Sequence, residues 1–183
     1  KKEAHVMINK AIIFATTVHG NQKRKGTDIP YILHPLEAGV IAAQIKYNKD
    51  IICAAILHDT VEDAHVTYET LEEMFNKRIV ELVKAQSEDK SKPWKERKGH
   101  TIEYLASTRD EGIKIVALAD KLSNIRAIYR DFAVIGDELW QRFNVKDKKL
   151  HKWHYEGLVK SLESLRKYRE YQEFKELVSK VFG

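Results

Sequence analysis

Apolar residues in this chain recur at intervals of three and four from one end to the other, and nowhere do they alternate with polar residues over a useful length. A period near 3.6 gathers side chains on one flank of a helix, whereas a half-exposed strand needs a period of two. The chain is therefore predicted to be all-α, a compact multi-helix bundle. Its 183 residues allow one domain with a real core and are too few for two of ordinary size, so residues 1–183 are read as one domain. Only 8 Gly and 3 Pro interrupt it, which suits long helical segments.

Met7, Ile8, Ala11, Ile12, Ala15 and Val18 predict a first helix over 4–18, stopped by Gly20. The basic stretch 22–28 has no apolar period and reads as a loop. Pro35 suits the first turn of a second helix running to about Tyr47, which puts His34 at its entrance. Asp50 is read as the cap of a third helix whose body is the run Ile51 to Leu57, and Thr67 as the cap of a fourth with Leu71, Met74 and Phe75 facing inward. Another helix starts near Asn76, and Pro93 opens one carrying Lys95, Arg97 and Lys98. After Gly112, the series Ile113, Ile115, Val116, Leu118, Ala119, Leu122 and Ile125 predicts a strongly buried helix with Asp120 embedded in it. Two more helices are expected over about 137–168 and 171–182, with a polar break between 144 and 149.

No apolar run approaches the roughly 20 residues that a bilayer crossing needs. The apolar stretch 11–18 lacks a following small-residue cleavage site, so it is read as a helix and not as a targeting segment. The single cysteine, Cys53, sits inside the apolar run, can form no intrachain disulfide and is expected to pack as a small hydrophobe. These features fit a cytoplasmic protein with no membrane partner. The net charge of +5 suits an anionic small molecule as well as nucleic acid, and does not choose between them.

Chemistry concentrates in His58-Asp59-Thr60-Val61-Glu62-Asp63, where an apolar run leads directly into one imidazole and three carboxylates. On a helix His58 and Glu62, or Asp59 and Asp63, are neighbours one turn apart. A solvated acidic helix end is one reading. The other is that His58 and Asp59 lie at the edge of the core, where unpaired charge is costly and a cation would offset the cost. Asp120 poses the same choice: a buried aspartate needs a partner, either a cation such as Lys121 or Arg126, or a metal.

The series His34, His58-Asp59 and Asp120 resembles the four metal ligands of the HD superfamily. The strings Arg24-Lys25-Gly26, Pro30 to Pro35, Leu57 to Asp63 and Leu118 to Arg126 narrow the resemblance to the hydrolase domain of Rel/Spo proteins and its single-domain relatives, the small alarmone hydrolases. It covers roughly residues 4–165. The resemblance implies an HD-type helical fold and removal of the 3′-pyrophosphate from guanosine alarmones (ppGpp or pppGpp), giving GDP or GTP and pyrophosphate. A mixed nitrogen and oxygen ligand set suits Mn²⁺ or Fe²⁺ better than a thiolate-rich zinc site would, and the resemblance points to Mn²⁺. Glu62 and Asp63 are assigned, as in the family, to orienting and deprotonating water and assisting the leaving group, with a supporting role beside the ligands as the alternative.

The same resemblance sets Arg24 and Lys25 against the purine, where an exposed basic loop is the plainer reading. Asn124, one turn beyond Asp120, is expected to face the same pocket and contact substrate. Lys95, Arg97 and Lys98 are read as holding outer phosphates or as a solvated helix face. Tyr155, in the cluster Trp153-His154-Tyr155, is expected to close the nucleotide site, and Trp153 to pack in the core. His5, His19, His65, His100 and His151 are expected to be surface or capping residues. The family's usual Thr-Asp-Asp-Lys stands here as Ser87-Glu88-Asp89-Lys90, a change that bears on fine specificity. With nothing resembling a synthetase half, hydrolysis without synthesis is expected. The competing readings are a phosphatase acting on another nucleotide such as NADPH, and a nucleotide- or RNA-binding module without catalysis. Spare carboxylates beside phosphate would repel a ligand that is only bound, which argues against the second.

Overall fold

The computed structural model describes residues 2–183, the side chain of Asp63 excepted. Among the described residues ten α-helices follow one another: α1 (Lys2–His19), α2 (Leu33–Ile45), α3 (Lys49–Leu57), α4 (Thr60–Ala64), α5 (Tyr68–Met74), α6 (Lys77–Lys84), α7 (Trp94–Ser107), α8 (Glu111–Ile135), α9 (Lys148–Ser161) and α10 (Arg169–Phe182). Two 3-10 segments, Gly136–Arg142 and Glu163–Leu165, flank α9. The all-α expectation is met, and the one β-type feature among the described residues is an isolated antiparallel bridge between Lys23 and Pro30. That bridge folds the basic loop back on itself, with Tyr31 N–H donating to Gln22 O at 2.8 Å. No helix among the described residues is long and apolar enough to cross a membrane.

Local chemistry sets the helix starts. Thr67 caps α5 by accepting from Thr70 N–H, and Asn76 caps α6 by accepting from Ile79 N–H. The cap of α3 is Asn48 and not Asp50: its side chain accepts from the backbone N–H groups of Asp50 and Ile51, while Asp50 accepts from Asn76 Nδ2 at 3.0 Å. Asp110 caps α8 and also takes two hydrogen bonds from Arg78, at 2.8 and 2.9 Å, tying α6 to the start of the central helix.

Helix α8 continues ten residues past Ile125 because Ile128 is still buried, and it ends at Gly136, whose φ of +61° is left-handed. The polar break expected between 144 and 149 is present within the stretch 137–168, and only the part after it forms an α-helix, ending at Ser161. Residues 136–142 tighten into a 3-10 turn, and α9 begins only after Asp147 caps it by accepting from Lys149 N–H.

Helix α8 packs on α2, α3 and α10, and α3 is enclosed by α1, α2, α6 and α8. Every residue from Ile51 to Leu57 is buried, Cys53 among them, and burial pushes the Cys53 thiol up to about 12. Full burial of each large aliphatic side chain contributes roughly 1.5–3 kcal/mol, so the end of α3 is fixed in place where His58 follows it. Two of the histidines expected to be surface or capping residues are buried: His151 stacks on Trp140 with its Nε2 donating to Val145 O, and His19, the last residue of α1, donates from Nδ1 to Gln22 Oε1. Trp153 is half-buried, its ring 6.3 Å from that of Trp94.

Helices α2 and α3 approach closely at Gly39, where an added Cβ would lie 2.6 Å from Cγ1 of the buried Ile56. Gly39→Ala is expected to destabilise the chain by about 1–3 kcal/mol through overpacking, seen as a lower denaturation midpoint. An unchanged midpoint would show that the two helices have room to part.

Candidate metal centre

Three elements deliver the cluster. His34 lies in the first turn of α2, His58 and Asp59 form the corner between α3 and α4, and Asp120 projects from the middle of α8. The ring of His58 is pinned by a 2.6 Å hydrogen bond from Nδ1 to Ala55 O. A carbonyl only accepts, so Nδ1 carries a proton and Nε2 is the atom turned toward the cluster. The ring of His34 is pinned likewise through Nδ1, 2.8 Å from Ser123 Oγ.

Oδ1 of Asp120 lies 3.0 Å from His34 Nε2 and 3.1 Å from His58 Nε2. Asp59 Oδ2 lies 3.0 Å from His58 Nε2 and 3.7 Å from His34 Nε2, and accepts a hydrogen bond from the Tyr31 hydroxyl. Ligand atoms of His34, His58 and Asp120 fall within 4.8 Å of one another. The residues far apart in the sequence therefore converge. Asp120 answers the question of its partner twice over: Oδ2 pairs with Lys121 Nζ at 3.3 Å, while Oδ1 faces the two imidazoles. Arg126, the other proposed partner, pairs with Glu37 and Glu173.

The electrostatics follow from crowding charge in a dry place. Burial alone would raise the Asp59 carboxyl, but the charge and hydrogen bond of His58 outweigh it and hold it at about 2. Burial also opposes ionisation of Asp120, and Lys121 and His58 hold it well below the usual carboxylate range. Burial would lower His58, yet Asp59 and Asp120 raise it well above its usual value. Two buried carboxylates thus depend on positive charge from His58 and Lys121. A divalent cation fits the same donors and can replace the His58 proton.

A cavity of about 190 Å³ opens over the cluster. Glu62 borders it, accepting from Glu88 N–H at 3.1 Å and lying 3.6 Å from Lys90 Nζ. Asp63 belongs to α4, and the expectation for its carboxylate lies outside the described side chains. Asn124 lines the cavity as expected of a residue one turn beyond Asp120, with Nδ2 3.4 Å from Asp120 Oδ1. Tyr31 and Asn124 are shared with a second cavity of about 310 Å³, which Arg24, Lys25, Arg142, Ile128, Leu139 and Tyr155 also line. Arg24 Nη2 donates to Asn124 Oδ1 at 3.2 Å, joining the basic loop to the cluster. Tyr155 is buried, and burial pushes its hydroxyl up to about 12.

The three cations of α7 separate. Lys98 borders the first cavity but is bound at 3.0 Å by the half-buried Glu88, which also takes Arg97 at 3.3 Å. Burial and the nearby Lys121 lower the Lys98 ammonium to about 8. Lys95 stands over the Trp153 ring, 5.4 Å from its centroid, and lines neither cavity. His154, grouped with Trp153 and Tyr155 in the sequence, borders the first cavity. Sequence reasoning gave no role to Tyr31 or to Ser123, and Glu88 entered it only as a departure from the family string. Tyr31 and Ser123 sit in the strings that carry the resemblance, but their partners are set by folding across helices.

A helical domain that brings two imidazoles and two carboxylates together at its core edge is built to hold a divalent cation. The chain belongs to the HD domain family, whose model matches residues 11–144. It is 37% identical over 124 residues to the zebrafish Danio rerio protein named guanosine-3′,5′-bis(diphosphate) 3′-pyrophosphohydrolase MESH1, covering 66% of this chain and 68% of that protein. It is 35% identical over 124 residues to the Aquifex aeolicus protein named guanosine-3′,5′-bis(diphosphate) 3′-pyrophosphohydrolase, covering 67% of this chain but only 18% of that longer protein. A solved structure described as a metazoan ortholog of SpoT shares the fold with a TM-score of 0.78 at 24% identity, over 95% of this chain and 94% of its own.

Because Asp59 and Asp120 raise His58 well above its usual value, a divalent cation taking up Nε2 would displace the proton there. Affinity for Mn²⁺ is expected to rise as pH is raised through the neutral region, with proton release detectable by calorimetry in buffers of different ionisation enthalpy. A pH-independent affinity with no proton released would contradict this arrangement.

Proposed function

We propose that residues 1–183 form one HD-type hydrolase domain that removes the 3′-pyrophosphate of guanosine alarmones, giving GDP or GTP and pyrophosphate, with no synthetase activity. The reading is supported most by one observation: the His34, His58, Asp59 and Asp120 donors converge beside a carboxylate-bearing cavity that shares Tyr31 and Asn124 with a second cavity of about 310 Å³. The names of the zebrafish and Aquifex relatives agree with it. We assign the four donors to one divalent ion; the mixed nitrogen and oxygen set suits Mn²⁺ or Fe²⁺, and the family resemblance favours Mn²⁺. Such an ion supplies Lewis acidity toward a phosphoryl oxygen and makes a nearby water more acidic.

The chain's own residues do the rest. Glu62, on the cavity wall with Asp63 next to it in α4, takes the proton of the attacking water and returns one to the ribose 3′-oxygen as its bond to phosphorus breaks. Lys98 and Lys121 offset phosphate charge; of Lys95, Arg97 and Lys98, which the sequence reading took together, it is Lys98 that borders the cavity. Arg24 and Lys25 stack on or bond to the purine, Tyr155 floors the base cavity, and Asn124, at the seam of the two cavities, meets the ribose or its phosphates. The site takes a small nucleotide in the cytoplasm and engages neither nucleic acid nor membrane.

Purified chain incubated with ppGpp and Mn²⁺ is expected to yield GDP and pyrophosphate, and Glu62→Gln to lower kcat by roughly 10²–10⁴-fold. Parallel reactions with NADPH test the rival. Phosphate from NADPH with no pyrophosphate from ppGpp would transfer the assignment to that substrate, and no turnover of either would remove the enzymatic reading.

A further inference from the structure

Behind His34, away from the cavity, a line of polar groups runs through three helices. Ser123 Oγ lies 2.8 Å from His34 Nδ1 and 2.5 Å from Glu37 Oε1. A carboxylate oxygen only accepts, so the single serine proton goes to Glu37, and the serine lone pair is left to accept the proton on His34 Nδ1. Ser123 is buried and Glu37 is partly exposed at the far end of the line. Glu37 Oε2 is met in turn by Arg126 Nη1 at 3.4 Å, and Arg126 grips Glu173 of α10 through Nε and Nη2 at 2.6 and 2.7 Å.

We infer that Ser123 and Glu37 are positioning residues for the metal centre: as a relay from His34 Nδ1 to a carboxylate, they keep Nε2 free of its proton when the ion is present, fix the ring plane and make the imidazole a stronger donor. A carboxylate behind a ligating imidazole raises its basicity, and a hydroxyl between the two passes the polarisation along. His58 has only the Ala55 carbonyl behind it, so the two imidazoles are unequal, His34 being the one backed by charge. Glu37 lies one turn beyond His34 on α2, and Ser123 adjoins Asn124 on α8, so the relay also locks the register between the two helices that carry His34 and Asp120. The inference rests on the metal reading of the cluster.

Mn²⁺ affinity, measured by chelator competition on purified unaltered chain, Ser123→Ala, Glu37→Ala and the double variant, tests it. Each single change is expected to weaken binding by about 10–100-fold. The double variant is expected to lose no more than the larger single loss, because both changes break one line. Glu37→Gln, which keeps an acceptor oxygen but no charge, should fall between, and KM for ppGpp at saturating Mn²⁺ should not move. Glu37 is partly exposed, so its two variants keep the test decisive even where Ser123→Ala folds poorly. Unaltered affinity in the Glu37 variants, or additive losses in the double variant, would overturn the relay while leaving the metal reading intact. An unaltered chain that binds no divalent ion would overturn both.

Discussion

One carboxylate oxygen, Oδ1 of Asp120, organises this molecule. It projects from α8 just after the fully buried run Gly112 to Ala119 and faces two imidazoles that arrive from α2 and from the end of α3. A lone charge there would be intolerable, so the surrounding helices must bring compensation to it. Lys121 supplies one positive charge on the other oxygen, and the remaining balance falls to a proton on His58 or to a cation in its place. The packing of α8 on α2 and α3 thus does two things with one geometry: it buries the apolar stripe, and it brings His34, His58 and Asp120 together.

Much of this was legible in the sequence. The spacing of apolar residues yields the helices, and the adjacency of a buried run to His58-Asp59 marks where the core gives way to chemistry. Asn124 follows from helical geometry alone, one turn from Asp120. The misread parts share a cause. Asp50 looked like a cap because it is acidic and adjacent to the apolar run, but Asn48 stands where its side chain meets two free N–H groups. The stretch 137–168 carries its expected break, at the Asp147 cap, but its first half is a 3-10 turn, because the geometry after Gly136 acts locally and leaves no mark on the apolar spacing. His19 and His151 are read from frequency as surface or capping residues, and their burial comes from aromatic neighbours elsewhere in the chain.

The cations of α7 teach a similar lesson about charge. Three basic residues within four positions suggest a phosphate clamp, yet Glu88, in the segment before the helix, binds two of them and leaves the third on an indole ring. Exposed pairs of this kind contribute little, but Glu88 and Lys98 are both substantially buried, so their pairing governs how much positive charge the cavity presents. Net charge counted along a sequence overstates the field that a ligand meets.

Gly26 carries φ +70°, and the space where its Cβ would stand is filled by the stem of Arg142, whose Cδ would lie 2.6 Å away. Arg142 is itself anchored on Asp131 at 2.9 Å. The basic loop and the turn after α8 are thereby seated on one another, two stretches remote in the chain acting as the jaws of a single clasp. A side chain at position 26 would press on the Arg142 stem and push the two jaws apart along a wall of the second cavity.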